Sequence, residues 1–178
     1  MENKKIRIIE AGNSLGLGGT EYAIQLYCKY LNKEHFDVTA LGIQEGGERV
    51  KLIEENGTKV VLLQGDLTQL PNLLKETDVF HWHGNGKLDP EIFKIVAADK
   101  PTIVIQTNVF GNFRESVLYQ TLDYDLYISK MIFIRRMYHD SYLKNNFFKK
   151  RRMLYYPVDV EEIDRLTPLS KELFLFLT

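Results

Sequence analysis

The chain has 178 residues, 44% of them apolar and 26% charged, with a formal net charge of −1. A domain of this size buries roughly 70% of the surface its unfolded chain exposes, so folding requires neither disulfides nor a metal. The single cysteine, Cys28, has no partner for an internal bridge, which suits a reducing compartment. No apolar run reaches the roughly 20 residues of a membrane span, and no signal-peptide core follows Met1; a cytoplasmic domain is expected.

Strand and helix patterns alternate along the chain. Lys5-Ile6-Arg7-Ile8-Ile9 is a short apolar run that ends before Gly12 and reads as the first strand. Thr20 to Leu31 places Tyr22, Ala23, Leu26, Tyr27, Tyr30 and Leu31 at helical spacing, with Thr20 or a preceding glycine as cap. Val38–Ile43 is the second strand, followed by a helix over 49–56 that Gly57 closes. Val60–Leu63 is the third, and a helix around 70–76 leads to the fourth, Val79-Phe80-His81-Trp82-His83. A helix over 90–98 precedes the fifth strand, Thr102–Gln106; Asp125–Ile128 is the sixth. Residues 130–143 read as a helix, and Arg152–Tyr156 is a seventh strand stopped by Pro157, which lacks a ladder N–H. Near-continuous apolar strands between helices predict an α/β fold with a doubly wound, mostly parallel sheet covered on both faces.

In such sheets ligands bind beyond the carboxyl ends of the strands, which singles out four loops. The first, 12–21, holds Gly16, Gly18, Gly19, Thr20 and Glu21 before a helix start, where backbone N–H groups can approach an anion. It fits neither a Walker loop nor the dinucleotide fingerprint. The second follows His81 and His83, which period-2 alternation puts on one face, and leads to Gly84. They are either cleft histidines for hydrogen bonding or proton transfer, or satisfied core histidines. A metal is not expected, because His35 and His139 are the remaining histidines that might complete a set. The third loop spans Thr107 to Gly111, and the fourth is Ser129-Lys130. Together they predict a cleft.

Residues 130–152 carry eight Lys/Arg against one acid, a segment of +7. It reads as a solvated helix with cations near its C-terminus, or as a surface for phosphates or an anionic membrane at its inner face. No nucleic-acid recognition motif accompanies it.

The ordered set of short segments resembles the N-terminal domain of family-4 retaining GT-B glycosyltransferases. Gly18-Gly19-Thr20-Glu21 opens the first long helix, and Phe36-Asp37-Val38-Thr39 enters the second strand. Asp78-Val79-Phe80-His81-Trp82-His83-Gly84 resembles that family's Asp-Val-x-His-x-His-Gly stretch. Pro101–Val104, Asp125–Ser129 and Tyr156-Pro157-Val158-Asp159 complete the order, the last without the family's Asn-Gly pair.

The resemblance implies the acceptor-binding half of a sugar transferase that needs no metal or other cofactor. A nucleotide-sugar donor would bind a second Rossmann-like domain or a separate subunit, and the acceptor would be a glycan or a lipid-linked glycan. It implies that the glycine loop lies near donor phosphates and acceptor. The family's histidine after the fifth strand corresponds here to Asn108, so His83 and Asn108 are the catalytic candidates, with His81, Gly84, Ser129 and Lys130 lining the cleft. The partner domain takes about 150 to 200 further residues and carries a Glu-x7-Glu motif; the Glu2–Glu10 pair, bracketing the first strand, does not supply it. Residues 1–157 are therefore expected to form the acceptor-side domain. Residues 158–178 are expected to form a hinge around Pro157 and Asp159, with the apolar Leu173–Leu177 run as the opening strand of a second domain. A non-catalytic module binding a glycan or an anionic lipid is the alternative.

Overall fold

The computed structural model describes residues 4–113, 116–139 and 147–166. Seven strands form one parallel sheet: β1 (Ile6–Gly12), β2 (Phe36–Gly42), β3 (Lys59–Leu62), β4 (Val79–Gly84), β5 (Ile103–Asn108), β6 (Tyr124–Tyr127) and β7 (Arg151–Met153), in the order β3-β2-β1-β4-β5-β6-β7. Helices α1 (Gly19–Tyr30), α2 (Arg49–Glu55), α3 (Leu70–Lys75), α4 (Pro90–Ala98), α5 (Lys130–His139), α6 (Phe147–Lys150) and α7 (Val160–Leu166) connect and flank it. The chain winds outward from β1 through β2 to β3, then returns to lay β4 against the free side of β1. The order thus reverses between β1 and β4, the topological switch point where open sheets of this kind hold ligands.

The expected fold class holds, and the strand limits move in informative ways. β1 runs three residues beyond the expected Ile9, so Glu10 lies within the strand, paired with Ala40 and His81, rather than bracketing it. β5 continues through Thr107 and Asn108, which were expected in a loop. β7 begins at Arg151 and stops at Met153, short of the expected Tyr156. In each case ladder partners on neighbouring strands, which local periodicity does not report, decide where pairing starts and stops. Helix α5 ends at His139, and the remainder of its expected span lies outside the described residues, as does Leu173–Leu177.

Alternation assigns the two faces. Phe80 and Trp82 of β4 join Ile9, Leu41, Leu70, Leu74, Phe93, Val96 and Val104 in a core beneath α3 and α4. Leu15, Ile24, Cys28, Val38, Ala40 and Ile53 pack on the other face beneath α1 and α2. Helix α4 is stopped from fraying by Asp89, which accepts from the backbone N–H of Glu91 and Ile92, with Pro90 at its first position. The hinge candidate Asp159 does equivalent work for α7, accepting from the Glu162 N–H at 2.9 Å. Its other oxygen pairs with Lys29 of α1 at 2.6 Å, and Tyr22 donates to Glu162 at 2.9 Å, so α7 docks on α1.

Candidate functional site

At the carboxyl ends of β1 and β4 the surface opens into a cleft of about 850 Å³. One wall is the start of α1 (Thr20, Glu21, Ile24) with Gly12 and Asn13; the other runs from Trp82, His83 and Gly84 to Leu88, with Phe110 and Leu118 across from it. Of the residues singled out in the sequence, Thr20, Glu21, His83 and Gly84 line this cleft.

The glycine loop is held by backbone bonds to the segment after β2, among them Leu15 N–H to the Gly46 carbonyl and Arg49 N–H to the Leu15 carbonyl, and by one side chain. Glu21 folds back so that Ser14 Oγ donates to its Oε1 at 3.2 Å, and a Cβ on Gly18 would collide with its carboxylate. Gly18 is the N-cap of α1 without a side-chain cap, and a larger residue there would require the flexible Glu21 carboxylate to swing aside. Gly19 meets no neighbour where a Cβ would stand, and Gly16 lies close to Ser14 and Glu48. A carboxylate already at this helix N-terminus satisfies the dipole that would otherwise draw a phosphate.

Beneath the cleft, between β1, β4 and α1, lies a buried polar cluster. His81 and His83 do share a face, as period 2 requires, and the ring of Tyr27 from α1 packs against both with centroids 5.4 Å apart. Both imidazoles turn to one oxygen of Glu10: His81 Nδ1 lies 2.9 Å and His83 Nε2 2.6 Å from Oε2. His81 Nε2 is 2.7 Å from the Thr107 hydroxyl. Burial pushes the Glu10 carboxyl up, but the charge and hydrogen bonds of the two histidines outweigh it and hold the group down to about 2. Burial, reinforced by His81, lowers His83 to about 4 against the pull of Glu10. A carboxylate only accepts, so in this arrangement the nitrogens facing Glu10 donate. Glu10 is missed by local sequence patterns because it stands at the margin of an apolar run; counting β1 forward in register with β4 would have found it.

Two nitrogens at the cleft have no hydrogen-bond partner among the described residues: Trp82 Nε1 and His83 Nδ1, both buried. A Cβ on Gly84 would stand 2.5 Å from Trp82 Nε1, so a larger residue at this position would displace the indole.

The other candidates lie apart from this group. Asn108 is buried on β5, its Nδ2 donating to the Asn112 carbonyl at 2.8 Å and so closing the loop that carries Gly111. Ser129 precedes α5 and accepts at its carbonyl from Phe133, while Lys130 is exposed at the helix start. The basic segment is corrected in one respect. Arg151 is 1% exposed, with its guanidinium 4.8 Å and 4.7 Å from the ring centroids of Phe113 and Phe147. Its Nε donates to Tyr119 at 3.2 Å and lies 3.7 Å from Asp125. Arginine at the first position of β7 is a core residue here because Asp125 on the neighbouring strand is buried as well. No helix among the described residues is long and apolar enough to cross a membrane.

No protein-family model and no curated protein sequence matches the chain. Among solved structures it is similar to an alpha-glucosyltransferase determined in complex with UDP and a 13-mer DNA containing an HMU base, with a TM-score of 0.56 at 12% identity. That match covers 92% of this chain and 45% of the glucosyltransferase, so the chain spans less than half its length. A saccharopine dehydrogenase from Saccharomyces cerevisiae aligns less well, with a TM-score of 0.45 at 16% identity over 79% of this chain and 31% of that one. The first likeness establishes the fold, a Rossmann-like α/β domain.

Proposed function

We propose that this chain is the acceptor-binding half of a glycosyltransferase of the family-4 retaining type, moving a sugar from a nucleotide-sugar to a glycan or lipid-linked acceptor. A second Rossmann-like domain or a separate subunit would hold the donor, without a metal at the transfer step. The observation that carries the reading is the pair of unpartnered buried nitrogens, Trp82 Nε1 and His83 Nδ1, in a cleft at the sheet's switch point. Leaving buried polar groups unmatched costs about 1–3 kcal/mol each, and hydroxyls of a bound sugar would match both. The cleft also has Phe110, 68% exposed, as an apolar platform for a sugar ring, and the carboxylates of Glu21 and Asp89 as hydroxyl acceptors. Those carboxylates favour a neutral, hydroxyl-rich acceptor over a phosphate. In this reading His83 orients the acceptor hydroxyl, and Asn108 supports the loop above it.

Trp82 is the sole tryptophan of the chain, so its fluorescence and indole N–H resonance report on the cleft alone. Neutral oligosaccharides should shift both, nucleotide-sugars alone should not, and Gly84→Ala should abolish the response by displacing the indole. Tight binding of a nucleotide-sugar to this chain by itself, or an indole unmoved by every carbohydrate class, would count against the assignment.

A second reading concerns the acceptor's location. Helix α5 and the following α6 expose Met131, Ile134, Tyr138 and Phe148 beside Lys130, Arg135 and Lys149, a pairing of apolar and cationic groups that fits an anionic membrane surface. Charge reversal at Arg135 and Lys149 should then release the protein from phosphatidylserine vesicles in sedimentation. Unchanged sedimentation would remove the membrane from the proposal without touching the cleft.

A further inference from the structure

We propose that Glu10, His81 and His83 bind one divalent transition-metal ion of the zinc class, seated between β1, β4 and α1 beneath the cleft. The proposal is independent of the transfer reading above, which assigns no step to a metal.

The geometry comes first. Glu10 and His81 are direct cross-strand partners, and His83 lies two residues further along the same face. One ligand atom from each of the three residues lies within 4.8 Å of the other two. Glu10 Oε2 is already 2.9 Å from His81 Nδ1 and 2.6 Å from His83 Nε2. Tetrahedral zinc with bonds of about 2.0–2.1 Å separates its N and O ligands by about 3.3 Å, so rotations that part these atoms by less than an ångström admit the ion. As the ion takes the nitrogens that face Glu10, each ring would carry its proton on its other nitrogen, Nε2 of His81 beside the Thr107 hydroxyl and Nδ1 of His83.

The electrostatics come second. The three side chains are between 0% and 6% exposed. A buried carboxylate costs several kcal/mol unless positive charge answers it, and a cation bound between the three side chains would do so. No Lys or Arg is paired with Glu10 among the described residues. Third, the outer contact is in place: Thr107 Oγ1 holds His81 Nε2 at 2.7 Å, which aims Nδ1 at Glu10 as metal-binding histidines are aimed. Two imidazoles and one carboxylate suit zinc and its neighbours, whereas calcium and magnesium call for more oxygens. His83 borders the cleft, and a water drawn from there would complete the coordination. The absence of a third histidine, which argued against a metal in the sequence, is answered by Glu10.

The test uses the chain stripped with a chelator and titrated with Co²⁺, then Zn²⁺. One equivalent of Co²⁺ should give visible d–d absorption that Zn²⁺ removes, and the melting temperature should rise with ion concentration. Glu10→Gln and His83→Gln should abolish stoichiometric binding, and Thr107→Val should weaken it by about 10–100-fold. Because a ligand variant can fail to fold, the unmodified protein supplies the decisive reading. Zn²⁺ should shift the imidazole ¹⁵N resonances of His81 and His83 and leave those of His35 and His139 in place. Absence of 1:1 binding by the folded, stripped chain would overturn the proposal and leave a proton as the cluster's counter-charge. Binding that moves His35 or His139 and survives Glu10→Gln would overturn it as well.

Discussion

Asp125 on β6 and Glu10 on β1 are both buried carboxylates on inner strands, and the fold answers them differently. Asp125 accepts from Gln106 Nε2 at 3.0 Å and from the hydroxyls of Tyr119 and Tyr127 at 3.0 and 3.1 Å, with the Arg151 guanidinium 3.7 Å away in a cage of rings. That charge is met by a permanent cation and saturated by hydrogen bonds. Glu10 is met by two imidazoles, whose own charge depends on what binds them. The first cluster joins β5, β6 and β7 away from the cleft; the second stands at the switch point beside it. Burying a charge is thus no sign of function in itself. What distinguishes the second cluster is that its compensation is exchangeable.

The sharpest way to break this comparison is Arg151→Met. Removing one partner of a buried pair leaves Asp125 uncompensated and should cost about 3–5 kcal/mol in urea unfolding, whereas Arg151→Met with Asp125→Leu should recover most of the loss. A single-variant cost below about 1 kcal/mol would mean that Asp125 is not held by Arg151 at all. Glu10→Gln, measured without metal, should cost less, about 1–3 kcal/mol, because the amide keeps the volume and one acceptor oxygen for both imidazoles but loses the charge that strengthens those bonds. A larger loss than that of Arg151→Met would reverse the ranking of the two clusters.

Thr107→Val should cost about 0.5–1.5 kcal/mol as one hydrogen bond to His81 is lost, while Thr107→Ser should be near neutral; equal effects would make the contact one of packing. The smallest effect is expected at the pair outside both clusters, Asp159 and Lys29. The hydrogen bond from Lys29 holds the Asp159 carboxyl down to about 2 from an ordinary 3.8. A depressed acid stabilises the docked helix above its ordinary pKa and loses that contribution as pH falls through its folded value. Amide-exchange protection of α7 should therefore hold above pH 3.8 and decline toward pH 2, with Asp159→Asn weak at every pH. Protection that rises on acidification would refute the latch.

Several of these features were legible in the sequence. The alternation of apolar runs and helical spacings marks every strand of the sheet, and period 2 alone puts His81 and His83 on one face. The glycine loop was legible as a turn before a helix whose first residues, Thr20 and Glu21, border the cleft, though not the inward fold of Glu21. Glu10 was not legible, because an acidic residue at the end of an apolar run looks like a solvated margin until its neighbours are known. Arg151 was misplaced for the same reason: seven other cations around it describe a surface, and the ring cage that buries it is drawn from four separate elements.

By itself, the sequence determined which segments are strands, which are helices and which side chains share a face, since these follow from local sterics and from the periods of 2 and 3.6. The tertiary structure decided that β1 lies between β2 and β4. That single adjacency brings Glu10 to His81 and His83 and opens the cleft at the switch point, as the pairing of β6 with β7 sets Asp125 beside Arg151. Strand order is a non-local outcome of how both sheet faces are covered, and no spacing within one segment records it.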